Sequence, residues 1–152
     1  MDPPILSPTK VFLVHGHNGA MKHEVARFVE KLKLDAIILD EQASGGLTII
    51  EKFERHSDVG FAIVLLTADD VGAAKAKRDE LQPRARQNVI LELGYFYAKL
   101  GRGRVVPLVE PGLELPSDLS GIVYVANDRD WRTPLLKELR TAGLDVDAND
   151  AL

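Results

Sequence analysis

With 152 residues, 45% of them hydrophobic and 28% charged, the chain has the size and balance of one soluble globular domain that can bury its own core, which excludes a disordered polymer and an all-helical rod. The absence of cysteine rules out disulfides, a thiolate nucleophile and thiolate metal sites, and it suits a reducing cytoplasm. A net charge of −4 argues against nucleic acid as a principal partner, and with neither a secretory leader nor an apolar run of spanning length in view, a cytoplasmic location with no membrane partner is expected.

After a Pro-rich lead-in over residues 1–9, Val11-Phe12-Leu13-Val14 reads as the first strand. It runs into His15-Gly16-His17-Asn18-Gly19 and then into a helix with Val25, Phe28, Val29 and Leu32 on one face. Ala36 to Leu39 is the second strand. The loop Asp40-Glu41-Gln42-Ala43-Ser44-Gly45-Gly46-Leu47 follows, and Thr48 with Glu51 has capping-box spacing, opening a helix that turns Ile49, Ile50 and Phe53 inward. Phe61 to Leu66 is continuously apolar, as a central strand covered on both faces should be. Thr67 to Gln87 is polar and longer than most connections, holding Asp69, Asp70, Lys75, Lys77, Arg78 and Pro83. Val89, Leu93, Phe96, Tyr97 and Leu100 then mark an amphipathic helix that Gly101 and Gly103 terminate. Arg104 to Val109 is the fourth strand, in which Pro107 points to a sheet edge or an irregular position. Ile122 to Val125 is the fifth. Thr133-Pro134 reads as the N-cap and first-turn proline of a last helix with Leu135, Leu136 and Leu139 inward, ending near Gly143. Trp131 beside Arg132 reads as packing for that helix.

Strands alternating with helices imply right-handed parallel crossovers in one α/β sheet, and ligands of such sheets gather at the carboxyl ends of the strands. His15 to Gly19, Gln42 to Thr48 and the stretch starting at Thr67 directly follow the first three strands, so they converge on one crevice. His15 to Asn18 can furnish part of a ligand pocket, with Gly16 permitting close backbone approach, or can be a plain tight turn. Two histidines so spaced with no third ligand make a poor metal site, and no metal is expected. The run His15-Gly16-His17-Asn18-Gly19 matches neither the Walker phosphate loop nor the dinucleotide glycine pattern, which argues against NTP hydrolysis and ordinary dehydrogenase binding.

Glu92 falls at the border of the apolar stripe, and its helical neighbours Asn88, Val89, Tyr95 and Phe96 are not basic. On the residues alone it is either a half-desolvated functional carboxylate or a boundary glutamate, solvated or met by an arginine from elsewhere. Arg84 and Arg86 stand just before or in the first helical turn, where the dipole disfavours a cation. They are solvated surface groups, or they are kept for a pyrophosphate or an acidic surface.

The run Arg84 to Phe96, with Val14-His15-Gly16, Asp40-Glu41-Gln42 and Thr48 to Phe53, resembles the TIR-like family of predicted nucleotide-binding proteins. That family includes the TIR halves of bacterial STING-type and cyclic-nucleotide-responsive antiphage effectors, and the likeness covers residues 10–143 in the family's order. It implies a flavodoxin-like three-layer sandwich with a five-stranded parallel sheet in the order 2-1-3-4-5, a TIR-like domain over 10–145, and a tail over 146–152 leading to a C-terminal cyclic-nucleotide sensor in a longer protein. It further implies an NAD nucleosidase that needs no cofactor, NAD being the substrate, with self-association into oligomers or filaments as the activating event. Glu92 matches the family's catalytic glutamate. His15, Gly16, His17, Asn18, Gln42, Leu47, Thr48, Asp69, Arg84 and Asn88 are the implied substrate-binding set, and Gln42 to Thr48 corresponds to the loop that gates the site, with Gly45-Gly46 supplying its freedom. A scaffolding TIR module and an enzyme like the nucleoside deoxyribosyltransferases are the competing readings.

Overall fold

The computed structural model describes residues 9–17, 19–39, 48–55, 59–119, 124–126 and 130–151, apart from the side chain of Ile49. The elements in chain order are β1 (Lys10–Val14), α1 (Gly19–Lys31), β2 (Asp35–Leu39), α2 (Ile49–Glu54), β3 (Val59–Leu66), β4 (Asp70–Gly72), β5 (Gln82–Arg84), α3 (Gln87–Leu100), β6 (Val105–Val109), β7 (Val125–Ala126) and α4 (Arg132–Thr141). The main sheet is parallel throughout, in the order β2-β1-β3-β6-β7. Counted by sheet strands alone, this is the 2-1-3-4-5 order of a flavodoxin-like sandwich, with helices on both faces.

Alternation along the strands sorts the core into two layers. Val11, Leu13, Phe61, Ile63, Leu65, Val106 and Leu108 face one way, toward Val25, Phe28 and Val29 of α1 and Leu135 and Leu139 of α4. Phe12, Val14, Ala62, Val64, Leu66, Val105 and Val109 face the other way, toward Val89, Leu93 and Phe96 of α3, with Phe53 of α2 packed beside them. Trp131 is buried and meets Phe28 edge to face at 5.4 Å, so it packs the last helix as its sequence context suggested.

Helix boundaries follow local chemistry. Thr48 caps α2, its Oγ1 accepting the Glu51 N–H at 3.1 Å and donating to Glu51 Oε1 at 3.2 Å, as the capping-box spacing anticipated. Gly101 ends α3 at φ 85°, a left-handed conformation natural to glycine, and its N–H closes on Tyr97 O at 3.0 Å.

Three expectations need correction. Thr133 is not the N-cap of α4: the helix begins at Arg132, and Asp130 Oδ1 accepts the Thr133 N–H at 3.1 Å. That backbone bond is the first cause holding the Asp130 carboxyl below its usual range. Pro107 is not in an edge strand: β6 lies between β3 and β7, with Pro107 opposite Val64. Among the described residues the two-residue β7 pairs with Leu108 and Val109 and not with Pro107, so Pro107 holds the irregular position that was the other expectation, where a missing donor is tolerated. The polar stretch from Thr67 to Gln87 is not only loop, because β4 and β5 form an antiparallel ribbon within it, Val71 opposite Pro83.

Candidate active site

A parallel sheet with returning helices places the ends of β1, β3 and β6 and the first turns of α3 along one rim. The loops at that rim are tied to one another through two carboxylates. Asp69 Oδ2 accepts the Thr67 hydroxyl at 2.9 Å and the His17 N–H at 3.2 Å, joining the segment after β3 to the segment after β1. Glu110 Oε2 accepts the Ala68 N–H at 2.6 Å while the Glu110 N–H donates to Leu66 O at 2.9 Å, joining the end of β3 to the end of β6.

His15 is half-buried; its Nδ1 donates to Gly16 O at 2.7 Å, and its buried Nε2 has no hydrogen-bond partner among the described residues. His17 is exposed. Thr48 is spent on capping α2, and Asn88 is exposed on the first turn of α3. Asn18, Gln42 and Leu47 lie outside the described residues, as does the gating loop apart from Thr48.

Glu92 lies in the second turn of α3 and is only 5% exposed, far deeper than a boundary position. Burying a carboxylate costs several kcal/mol, about, unless something compensates. Its helix neighbours Val89, Leu93 and Phe96 belong to the apolar layer over Phe12, Val14 and Val64. One turn on, Phe96 meets Phe53 at 5.1 Å, and Tyr95 reaches Glu54 Oε1 at 3.3 Å, so this part of α3 leans on α2. Burial, then the Glu54 carboxylate, raise the Tyr95 phenol above its ordinary value.

Among the described residues, two open clefts flank the start of α3. One of about 500 Å³ is lined by Ala68, Asp69, Asp70, Val71, Arg84 and Gln87 among others. Another, of about 340 Å³, lies between Gln87, Ile90, Glu114, Leu115 and Pro116. Ile90 is about 200° around the helix from Glu92 at about 3.6 residues per turn, and Glu92 lines neither cleft. Arg84 stands between them with its Nη2 2.8 Å from Glu114 Oε1. The structure therefore brings His15, Gly16, His17 and Asp69 together, and Arg84 shares the cleft of about 500 Å³ with Asp69. Among the described residues, no group of three or more His, Cys, Asp or Glu side chains is placed to hold a metal ion.

Sequence reasoning missed Thr67, Glu110 and Glu114. Glu110 was within reach of the rule already applied, since it directly follows the fourth strand. Glu114 was not, because its partner is 30 residues away.

Residues 10–129 match the family described as CAP12/Pycsar effector protein, TIR domain. The chain belongs to that family. Every candidate site residue of this TIR domain lies within the matched span. It is similar to the uncharacterized protein YuaY of Escherichia coli (strain K12), 48% identical over 156 residues that cover 99% of this chain and 52% of YuaY. It is also similar to protein tirC of Dictyostelium discoideum, 36% identical over 140 residues, 86% of this chain and 67% of that protein. The Pycsar effector protein BcPycTIR of Burkholderia cepacia is 38% identical over 80 residues, 50% of this chain and 25% of that protein. The TIR domain thus spans about half the length of YuaY and a smaller share of the Pycsar effector. Among the described residues no helix is long and apolar enough to cross a membrane.

Proposed function

We infer that this TIR domain cleaves NAD at the nicotinamide–ribose bond, giving nicotinamide and ADP-ribose or its cyclic form, as an effector in bacterial antiphage defence. The observation that carries the reading is the burial of Glu92 near the carboxyl edge of the sheet, in a chain of this family. An acid so desolvated is a functional candidate on physical grounds.

The chemistry suits one carboxylate. Nicotinamide is cationic while bound to ribose and departs neutral, so no general acid is needed. The ribose left behind becomes oxocarbenium-like, and a fixed carboxylate stabilises that charge or holds the ribose hydroxyls. Water then adds at the same carbon and loses a proton, completing hydrolysis; attack by a nucleophile within the substrate gives the cyclic product instead. His15 to Asn18, Gln42, Leu47, Thr48, Asp69, Arg84 and Asn88 remain the proposed surroundings of the substrate, Asp69 acting as set out below.

Glu92 is 5% exposed, so widening its surroundings would favour contact with a ribosyl carbon. This supports activation by self-association, in which a neighbouring copy opens or completes the site, with a sensor domain reading a cyclic nucleotide in a longer protein. The test is nicotinamide release from NAD by wild type and Glu92→Gln, each dilute and artificially clustered. Clustered wild type should release nicotinamide, and Glu92→Gln should lose about 10²–10³-fold. Equal turnover by the two removes Glu92 from the chemistry; no release by clustered wild type favours a scaffolding module.

A further inference from the structure

We propose that Asp69 is a positioning residue that holds the loop after β1 in place, and that position 16 is glycine to let its carboxylate through. The loop geometry stands by itself; its consequence for turnover rests on the NAD-cleaving reading above. One oxygen of Asp69 serves two segments that are 52 residues apart in the chain, accepting the His17 N–H at 3.2 Å and the Thr67 hydroxyl at 2.9 Å. A Cβ placed on Gly16 would overlap that same Oδ2, and it would lie 3.1 Å from Asp69 Cγ and 3.6 Å from Thr67 Oγ1. Gly16 is not among the glycines of positive φ, so its backbone admits alanine. The obstacle is the side chain of Asp69.

That carboxylate can yield only by turning away from its two donors. Thr67 is 2% exposed, the Asp69 N–H donates to Thr67 O at 2.8 Å, and the intervening Ala68 N–H is held by Glu110 Oε2 at 2.6 Å. With the backbone pinned from the β6 side, a methyl group at position 16 displaces the carboxylate and breaks both of its bonds. The His15 to His17 loop then loses its tie to the rest of the rim. Asp69 acts here through acceptance alone, which the amide oxygen of asparagine reproduces at the same place, whereas a group that must offer negative charge to a substrate is not replaced by asparagine.

This gives a pattern that a direct ligand and a diffuse packing role do not share. Asp69→Ala should speed hydrogen exchange of the His17 amide at least about tenfold and Asp69→Asn should leave it within about threefold. Nicotinamide release by clustered protein should follow the same order, the loss appearing in kcat more than in KM because the loop is misplaced and not stripped of contacts. Gly16→Ala should imitate Asp69→Ala in both readouts. In the Asp69→Ala background, Gly16→Ala should add nothing further, since the group it collides with is gone.

The proposal is overturned if Gly16→Ala is silent, if its effect multiplies with that of Asp69→Ala, or if Asp69→Asn is as damaging as Asp69→Ala. Exchange needs no turnover, so the pattern can hold in a chain that never cleaves NAD, in which case only the functional reading falls. Conversely, Glu92-dependent release with an unaltered His17 amide in Asp69→Ala retains the function and removes the clamp.

Discussion

The two faces of the sheet are built by alternate residues of the same strands, yet they are finished differently. The face under α1 and α4 carries an apolar cluster sealed by Phe28 against Trp131, with the Arg132 guanidinium 4.4 Å over the indole ring. On the face under α2 and α3, an aromatic chain of Phe12, Phe53, Phe96 and Tyr95 coexists with the buried carboxylate of Glu92 and with a Tyr97 hydroxyl that has no hydrogen-bond partner among the described residues. The first face does what burial alone requires. The second keeps polar groups where hydrocarbon would hold the fold better, which is the usual mark of a surface constrained by something besides stability.

The contrast can be broken by substitution. Trp131→Ala should have the largest effect, about 3–5 kcal/mol of stability read from denaturant midpoints, while nicotinamide release per folded molecule stays near wild type. A parallel fall in specific activity means the faces are not independent. Thr48→Ala should cost about 1 kcal/mol, with exchange in the six-residue α2 quickening before the rest of the chain. Uniform loosening would show that α2 is not a local unit.

Glu92→Gln should change stability by less than about 1 kcal/mol, because the isosteric amide keeps the side chain's shape and one acceptor oxygen. A loss of about 3 kcal/mol or more is the signature of a broken buried ion pair and would return Glu92 to a structural role.

The smallest effect is confined to alkaline solution. Burial pushes the Tyr97 phenol up to about 12, partly opposed by Arg102. Since the folded value lies above the ordinary 10.0, the stability tied to the neutral phenol is present below about pH 10 and is lost as pH rises toward about 12. Tyr97→Phe should flatten that part of the stability profile. An unchanged slope assigns the alkaline loss to other groups.

The fold was legible because each strand and helix carries its own periodicity, and because the alternation of elements leaves few topologies for a parallel sheet. The β4–β5 ribbon was hidden: its strands are three residues long, one of them contains Pro83, and neither shows alternation. The depth of Glu92 was hidden for another reason. Helical spacing gives the angle of a side chain about its axis but not how far neighbouring elements overhang it, and the packing of Phe53 and Tyr95 between α2 and α3 is a tertiary fact. The rim carboxylates illustrate both cases. Asp69 was picked out by its place after β3, while its bond to the His17 amide required the two loops to be seen side by side.

The residues after α4 have a practical bearing on any assay. Ala148–Ala151 forms a short 3₁₀ turn, and Asp150 sits 3.7 Å from Lys33 just past the end of α1. That end of α1 is at the amino-terminal margin of the strands, the pole opposite His15, Asp69 and the start of α3. A fluorophore or affinity handle joined after residue 151 therefore departs from the far pole and leaves the crevice clear, so clustering through such a handle tests proximity between copies without plugging the place where nucleotide is proposed to enter.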